Sequence, residues 1–252
     1  VAPALALGNA VLLKPDPRTT VSGGVSIMRV FEEAGLPAGL LQLLPGGGDV
    51  GAAVVEAPEV EMVAFTGSTP AGRKVGETCS RLLKRAHLEL GGKNAMIVLE
   101  DADPGQAASA AAFGSFMHQG QICMAAGRHI VHDAVYDEYV STLADKAKNL
   151  PVGDPAESGT VIGPIIDENQ LSRIDEIVQD AVSAGAKVVA GGSSSGAYYS
   201  PTVLTDLTPD NRAWREEIFG PVAPVIRFSD LEEAIALAED NEYGLSLGVL
   251  LS

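Results

Sequence analysis

Residues 62–92 read MVAFTGSTPAGRKVGETCSRLLKRAHLELGG, and their pattern decides the fold class. Met62 to Phe65 is a short apolar run of strand length. Thr69-Pro70 then opens a helix, with Thr69 as N-cap and Pro70 at the first helical position. Val75, Cys79, Leu82 and Ala86 recur at spacings of three and four, which marks the apolar face of that helix. Ala86 to Leu90 is the next strand, closed by Gly91-Gly92. Strand, helix and strand at this spacing read as a parallel pair, since a parallel pair needs a crossover of this length.

The same alternation extends outward. Upstream, Ala10 to Leu13 is a continuous apolar run ending at Lys14-Pro15, as expected of a strand buried on both faces. A helical stretch follows and stops at Gly35-Leu-Pro37. Leu40 to Leu44 is another strand, and an Ala/Val-rich helix runs from the Gly46 region to Pro58. Downstream, Ala95 to Leu99, Val222 to Phe228 and Leu245 to Leu250 read as strands. Helices are expected over Pro104 to Phe116, Tyr136 to Leu150 and Glu168 to Ala184. Ser229-Asp-Leu-Glu232 reads as a capping box for a helix reaching about Asp240. Gly191 to Gly196 reads as a surface loop. The expectation is an α/β fold of parallel open sheets with helices on both faces, divided near Gly91-Gly92. The chain opens just before its first strand and closes inside a strand-like run, so flanking sequence is expected at both ends.

The sequence has 252 residues, 46% of them hydrophobic, with a net charge of -16. That charge argues against nucleic acid and anionic membrane as partners, since both require clustered Lys and Arg. No apolar run has the length of a membrane span, so a soluble, cytoplasmic protein is expected. Two cysteines make no disulfide framework, in keeping with a reducing compartment.

The cysteines differ in setting. Cys79 lies on the apolar helical face and reads as a small buried hydrophobe. Cys123 lies in His118-Gln-Gly-Gln-Ile-Cys-Met124, after a helix and a glycine, where no regular period holds. A turn there can expose a thiol and aim backbone N–H groups at it, lowering its pKa and forming an oxyanion site. From the residues alone, a buried thiol is the ordinary outcome for Cys123 too.

Five motifs change that weighting. Gly120-Gln-Ile-Cys123, Leu88-Glu-Leu-Gly-Gly-Lys93, Phe65-Thr-Gly-Ser-Thr69, Leu13-Lys-Pro15 and Glu216-Glu-Ile-Phe-Gly-Pro221 together resemble the aldehyde dehydrogenase superfamily, in its order and with similar gaps. The wording Lys14-Pro-Asp-Pro-Arg-Thr, with the segment around Cys123, resembles the benzaldehyde and vanillin dehydrogenase branch. The resemblance implies that residues 1–91 are the latter part of a Rossmann-type dinucleotide-binding domain. It implies that residues 92–252 are a catalytic domain incomplete at its C-terminal end. It implies Cys123 as catalytic thiol and Glu89 as general base. It further implies NAD or NADP as cofactor, bound by Lys14, Gly67, Ser68, Thr69, Leu90, Glu217 and Phe219. Metal ligation plays no part.

The chemistry fits these residue types. A thiol adds to an aldehyde, and the resulting thiohemiacetal can release hydride to a nicotinamide. The thioester left behind needs an activated water, which a partly buried carboxylate can supply. Ser68 and Thr69, where strand meets helix, can present N–H and hydroxyl groups to a pyrophosphate, although plain N-capping would explain them as well. A solvated lysine is the alternative for Lys14, a carboxylate paired with Lys93 for Glu89, a surface charge for Glu217 and a core aromatic for Phe219.

Gly46-Gly-Gly-Asp-Val-Gly51 fits a dinucleotide fingerprint, but the next strand ends in Phe65-Thr66 without the required acid. We therefore read those glycines as a tight turn. Members of the superfamily commonly carry a Glu where this chain has Pro17, so exclusion of NADP is not expected. The superfamily's oxyanion Asn and its oligomerisation strands have no counterpart here. The protein carrying this chain is expected to form homodimers or homotetramers and to act on a small aldehyde. A CoA-acylating relative and a non-catalytic binding or structural domain are the other readings. Glu89 in its motif speaks against the first, and Cys123 with Glu89 against the second.

Overall fold

The structure is a computed structural model that describes all of residues 1–252. It contains two compact units, Val1–Glu89 and Leu90–Ser252. The division falls just ahead of Gly91-Gly92. No helix is long and apolar enough to cross a membrane.

The first unit begins with helix α1 (Ala2–Ala6) and strand β1 (Val11–Leu13). A 3-10 turn at Pro17–Thr19 and a π-helical turn at Val21–Val25 lead into α2 (Ser26–Glu33). Then come β2 (Leu41–Leu43), α3 (Gly48–Glu56), β3 (Met62–Thr66), α4 (Thr69–Arg81) and β4 (Arg85–Glu89). The strands form two separate parallel pairs, β1 with β2 and β3 with β4. The expectation of a first strand buried on both faces is corrected. Leu12 is exposed between half-buried Val11 and Leu13, and β3 alternates in the same way, so each pair is covered on one face only. The cap of α4 is Ser68 rather than Thr69, with Thr69 and Pro70 inside the first turn. Cys79 is buried on α4.

The second unit is built on a six-stranded sheet in the order β12-β5-β6-β11-β10-β7. In chain order its elements are β5 (Asn94–Val98), α5 (Pro104–Phe116), β6 (Ala126–His132), α6 (Asp133–Asn149), α7 (Glu168–Ser183) and β7 (Lys187–Ala190). A small hairpin of β8 (Ser194–Ser195) and β9 (Tyr198–Tyr199) precedes β10 (Thr202–Thr205). The chain continues through α8 (Arg212–Arg215), β11 (Val222–Phe228), α9 (Leu231–Glu239) and β12 (Leu247–Leu250). Five strands run parallel and β7 runs antiparallel to β10. The antiparallel edge follows from a connection too short for a crossover helix. The Gly191–Gly196 loop is in part that β8–β9 hairpin.

Burial in β5 shows how the sheet is sandwiched. Ala95 and Ile97 face a cluster with Ile174, Ile177 and Val178 of α7 and Trp214 of α8. Met96 and Val98 face the opposite cluster with Ala107, Ala108 and Ala111 of α5 and Tyr139 and Leu143 of α6. The Ala-rich face of α5 lets it lie close to the sheet, which matters for the loop that follows it. The capping of α9 shifts by one residue from its expected place. Asp230 accepts from Glu233 N–H at 2.9 Å, while the Glu233 carboxylate receives Ser229 N–H at 2.9 Å.

Candidate active site

The first unit holds Lys14, Gly67, Ser68, Thr69 and Glu89. Lys14 is not a solvated strand-end lysine. Its Nζ donates to Pro15 O at 2.8 Å and Gly46 O at 2.9 Å, tying the end of β1 to the glycine turn before α3. Gly67 N–H donates to Glu89 O at 3.0 Å, which fixes the β3–α4 turn against the end of β4. The Glu89 side chain is half exposed and lies 3.2 Å from His87 Nε2. Asp16 and Arg18 form an ion pair at 2.9 Å beside Pro17.

The second unit brings Leu90, Cys123, Glu217 and Phe219 to one end of its sheet. After α5 the chain makes three successive left-handed residues, His118, Gln119 and Gly120, with φ of 51°, 59° and 66°. Two of these are not glycine, so the turn stores backbone strain that the surroundings must hold. Gln121 helps, since its Oε1 receives Ile166 N–H at 2.9 Å. Gly120 packs so tightly on the Gly220 backbone that a Cβ there would collide with the Gly220 carbonyl. Cys123 follows, half-buried and unpaired with any cysteine.

Asn94, at the start of β5, holds this loop. Its amide donates to Cys123 O at 2.9 Å and Ala125 O at 2.8 Å, and its Oδ1 receives Ser246 N–H at 3.0 Å. Gly92 lies against the same carbonyl: a Cβ there would sit 2.8 Å from Cys123 O. On the other side of the glycine pair stands Glu217. Its Oε1 receives Gly92 N–H at 3.0 Å, and a Cβ on Gly91 would run into the carboxylate. The two glycines therefore let a thiol-bearing loop and a carboxylate approach one backbone segment from both sides.

Glu217 is partly buried, which raises its carboxyl pKa against the pull of the Gly92 N–H and the Lys93 charge. It is thus neither a surface charge nor part of a regular helix. Phe219 has φ 55° and is half-buried, so it is not a core aromatic. Gln170 of α7 pins this turn by donating to Ile218 O and Phe219 O, both at 2.9 Å.

Lys93 is the surprise of the motif. It is 2% exposed, its Nζ has no hydrogen-bond partner, and it lines a cavity of about 20 Å³ with Ser115, Gly127, Glu217 and Phe219. Burial pushes its amine down to about 7, with the nearby Arg128 charge acting in the same direction. Arg128 is itself buried and donates to Lys93 O, Leu237 O and Ala238 O, each at 2.8 Å. It satisfies the end of α9 and locks that end to the segment leading into β5.

Sequence reasoning nominated Cys123, Glu217 and Phe219 but missed Asn94 and Gln170. A buried Asn following Lys at a strand start carries no pattern that separates it from a solvated one.

The family model described as "Aldehyde dehydrogenase family" matches residues 1–251. This chain belongs to the aldehyde dehydrogenase family. It is 62% identical over 250 residues to a vanillin dehydrogenase of Amycolatopsis sp., covering 99% of the chain and 51% of that protein. It is 53% identical over 249 residues to a benzaldehyde dehydrogenase [NAD(+)] of Pseudomonas putida, again with 99% and 51% coverage. An E. coli NADP-dependent enzyme has a similar fold, with a TM-score of 0.96 at 37% identity, covering 99% of this chain and 53% of that one. The chain thus spans about half the length of these aldehyde dehydrogenase relatives.

Proposed function

We propose that the protein carrying this chain oxidises an aromatic aldehyde to its carboxylic acid, with NAD or NADP as cofactor. Family membership and similarity to vanillin and benzaldehyde dehydrogenases support the reaction and the substrate class. The observation that carries the chemistry is the convergence of the Cys123 loop and the Glu217 carboxylate on the Gly91-Gly92 backbone.

Cys123 is the nucleophile. After its thiol proton passes to water, the thiolate adds to the aldehyde carbon, giving a thiohemiacetal whose oxygen carries the negative charge. The Cys123 N–H has no acceptor within the chain and is available to that oxygen. The loop does not have to reorganise, because Asn94 already holds its carbonyls. A nicotinamide held there would supply the hydride acceptor. Glu217 suits its ribose: Oε1 is taken by Gly92 N–H, and Oε2 is left to accept from a hydroxyl. Phe219 would pack on the nicotinamide side, with Leu90 beside it. From the first unit, Lys14 would hold the adenosine ribose, and Gly67, Ser68 and Thr69 the pyrophosphate. Hydride loss leaves a Cys123 thioester. Glu89 then draws a proton from water, and the water oxygen displaces the thiolate to give the acid. In this reading the first unit supplies the adenosine and pyrophosphate contacts and the base Glu89, and the second supplies the thiol and the nicotinamide-side residues.

The test is oxidation of benzaldehyde and vanillin by the protein carrying this chain, followed as NADH or NADPH formation. Cys123→Ala should abolish turnover, and full activity of that variant would overturn the proposal.

A further inference from the structure

Beneath the Cys123 loop lies a chain of buried polar side chains with no role in the chemistry above. Ser115 on α5, His129 on β6 and Tyr139 on α6 are each at most 1% exposed. Ser115 Oγ lies 2.8 Å from Ala126 O and 2.8 Å from His129 Nε2. His129 Nδ1 lies 2.5 Å from the Tyr139 hydroxyl. Ala126 is the residue at which the loop passes into β6.

The proton positions follow from counting. Ala126 O can only accept, so the single hydroxyl proton of Ser115 points at it. Toward His129 the Ser115 oxygen can then only accept, so Nε2 carries a proton. The 3.2 Å approach of Nε2 to Ala126 O demands the same. A neutral ring with a proton on Nε2 has a bare Nδ1, and Tyr139 O–H must donate to it. The reverse order fails at both ends. It would set two acceptor oxygens against each other at Ser115 and leave the buried Tyr139 proton without a partner. A doubly protonated ring fails for the second reason as well, and burial holds the imidazole down to about 4.

We propose that Tyr139, His129 and Ser115 form a one-way relay of donors ending on Ala126 O, and that they are positioning residues for the Cys123 thiol. This rests on Cys123 being the reacting group. The relay and Asn94 divide the work. Ala125 N–H takes Ile122 O, Asn94 takes Cys123 O and Ala125 O, and Ser115 takes Ala126 O. Four of the five carbonyls from Ile122 to Ala126 are thus held. Each donor in such a chain is polarised by the one behind it, so removing Tyr139 weakens the grip on Ala126 at a distance. Two helices and the strand between them thereby fix the exit of the loop, while β5 fixes its middle.

Two experiments test this. Nitrogen-15 NMR of histidine-labelled chain should show His129 with a protonated Nε2 and a bare, hydrogen-bonded Nδ1 at neutral pH. Tyr139→Phe should move the Nδ1 signal toward that of an unbonded ring nitrogen. A protonated Nδ1, in either a neutral or a charged ring, would overturn the relay. In the protein carrying this chain, Tyr139→Phe and Ser115→Ala should each lower kcat per titrated thiol about tenfold while leaving KM for the dinucleotide within about twofold. Normalising to titrated thiol removes any loss of folded protein. Unchanged kcat per thiol in both variants would overturn the positioning role. Retained aldehyde oxidation in Cys123→Ala would instead defeat the functional reading, and the positioning role with it, while the tautomer measurement would still decide whether the relay exists.

Discussion

Replacing Lys93 by Met should make the protein more stable, and more so at low pH. The amine is almost fully buried without a partner, so Met gives up no hydrogen bond and keeps the length of the side chain. In the unfolded chain the amine holds its proton up to about 10.5, but in the folded one only up to about 7. Between those values the unfolded state binds the extra proton, so this group makes stability rise with pH. Below about pH 7 both states are protonated, and the folded state bears the whole cost of a buried ammonium. That cost is about 5 kcal/mol, from a proton affinity lowered by some three and a half powers of ten. At roughly pH 9 about 2 kcal/mol of it remains. The advantage of Lys93→Met over the parent should therefore shrink by about 2–3 kcal/mol between roughly pH 6 and 9. Urea unfolding can be followed through Trp214, the single tryptophan, which is fully buried in the same unit. Parallel pH profiles for parent and variant would refute the reasoning, since they would mean that Lys93 is charged in the folded state or partnered there.

An electrophilic thiol reagent should label Cys123 at least about tenfold faster than Cys79, whose side chain is 1% exposed and must wait for local opening; equal rates by peptide mapping would reverse the assignment. Glu89→Gln should leave a pre-steady-state burst of NADH and slow the steady state, because it spares hydride release and impairs thioester hydrolysis; loss of the burst in folded enzyme would place Glu89 at the thiol step. Pro17→Glu should shift the ratio of kcat/KM toward NAD over NADP by about 1–3 kcal/mol. Arg18 is already committed to Asp16 and would not offset the new charge. An unchanged ratio would show that position 17 does not face the ribose.

The elements legible in the sequence were those whose pattern is local. Helix α5 spans Pro104–Phe116 as expected, because Asp103 caps it, Pro104 opens it and its alanines mark a buried face. Strand β6 was missed. Its sequence, Ala-Gly-Arg-His-Ile-Val-His, puts two of its three polar residues, Arg128 and His129, at fully buried positions where a strand should be apolar. Arg128 and His129 are tolerable there only because distant groups satisfy them: the last carbonyls of α9 for the arginine, Tyr139 and Ser115 for the histidine. Strands β7 and β10 were missed for a simpler reason, being four residues each with little room to show alternation. In the candidate site, the residues proposed to meet ligand stand in recognisable motifs. Those that hold the backbone, Asn94 and Gln170, act on carbonyls far along the chain and leave no local trace.

The uneven distribution of buried side chains has a consequence for how the chain breathes. In the first unit the buried apolar residues are few, Pro15, Leu41, Val55 and Cys79, and its strands pair two by two. The second unit packs both faces of a six-stranded sheet. Amide protons of β1 to β4 should therefore exchange with deuterium through small local openings, whereas those of β5, β6 and β11 should exchange only when the whole second unit unfolds. In that hierarchy the strand ends proposed to hold cofactor would lie among the readily opened elements, and the thiol loop would be anchored to the strands expected to exchange slowest.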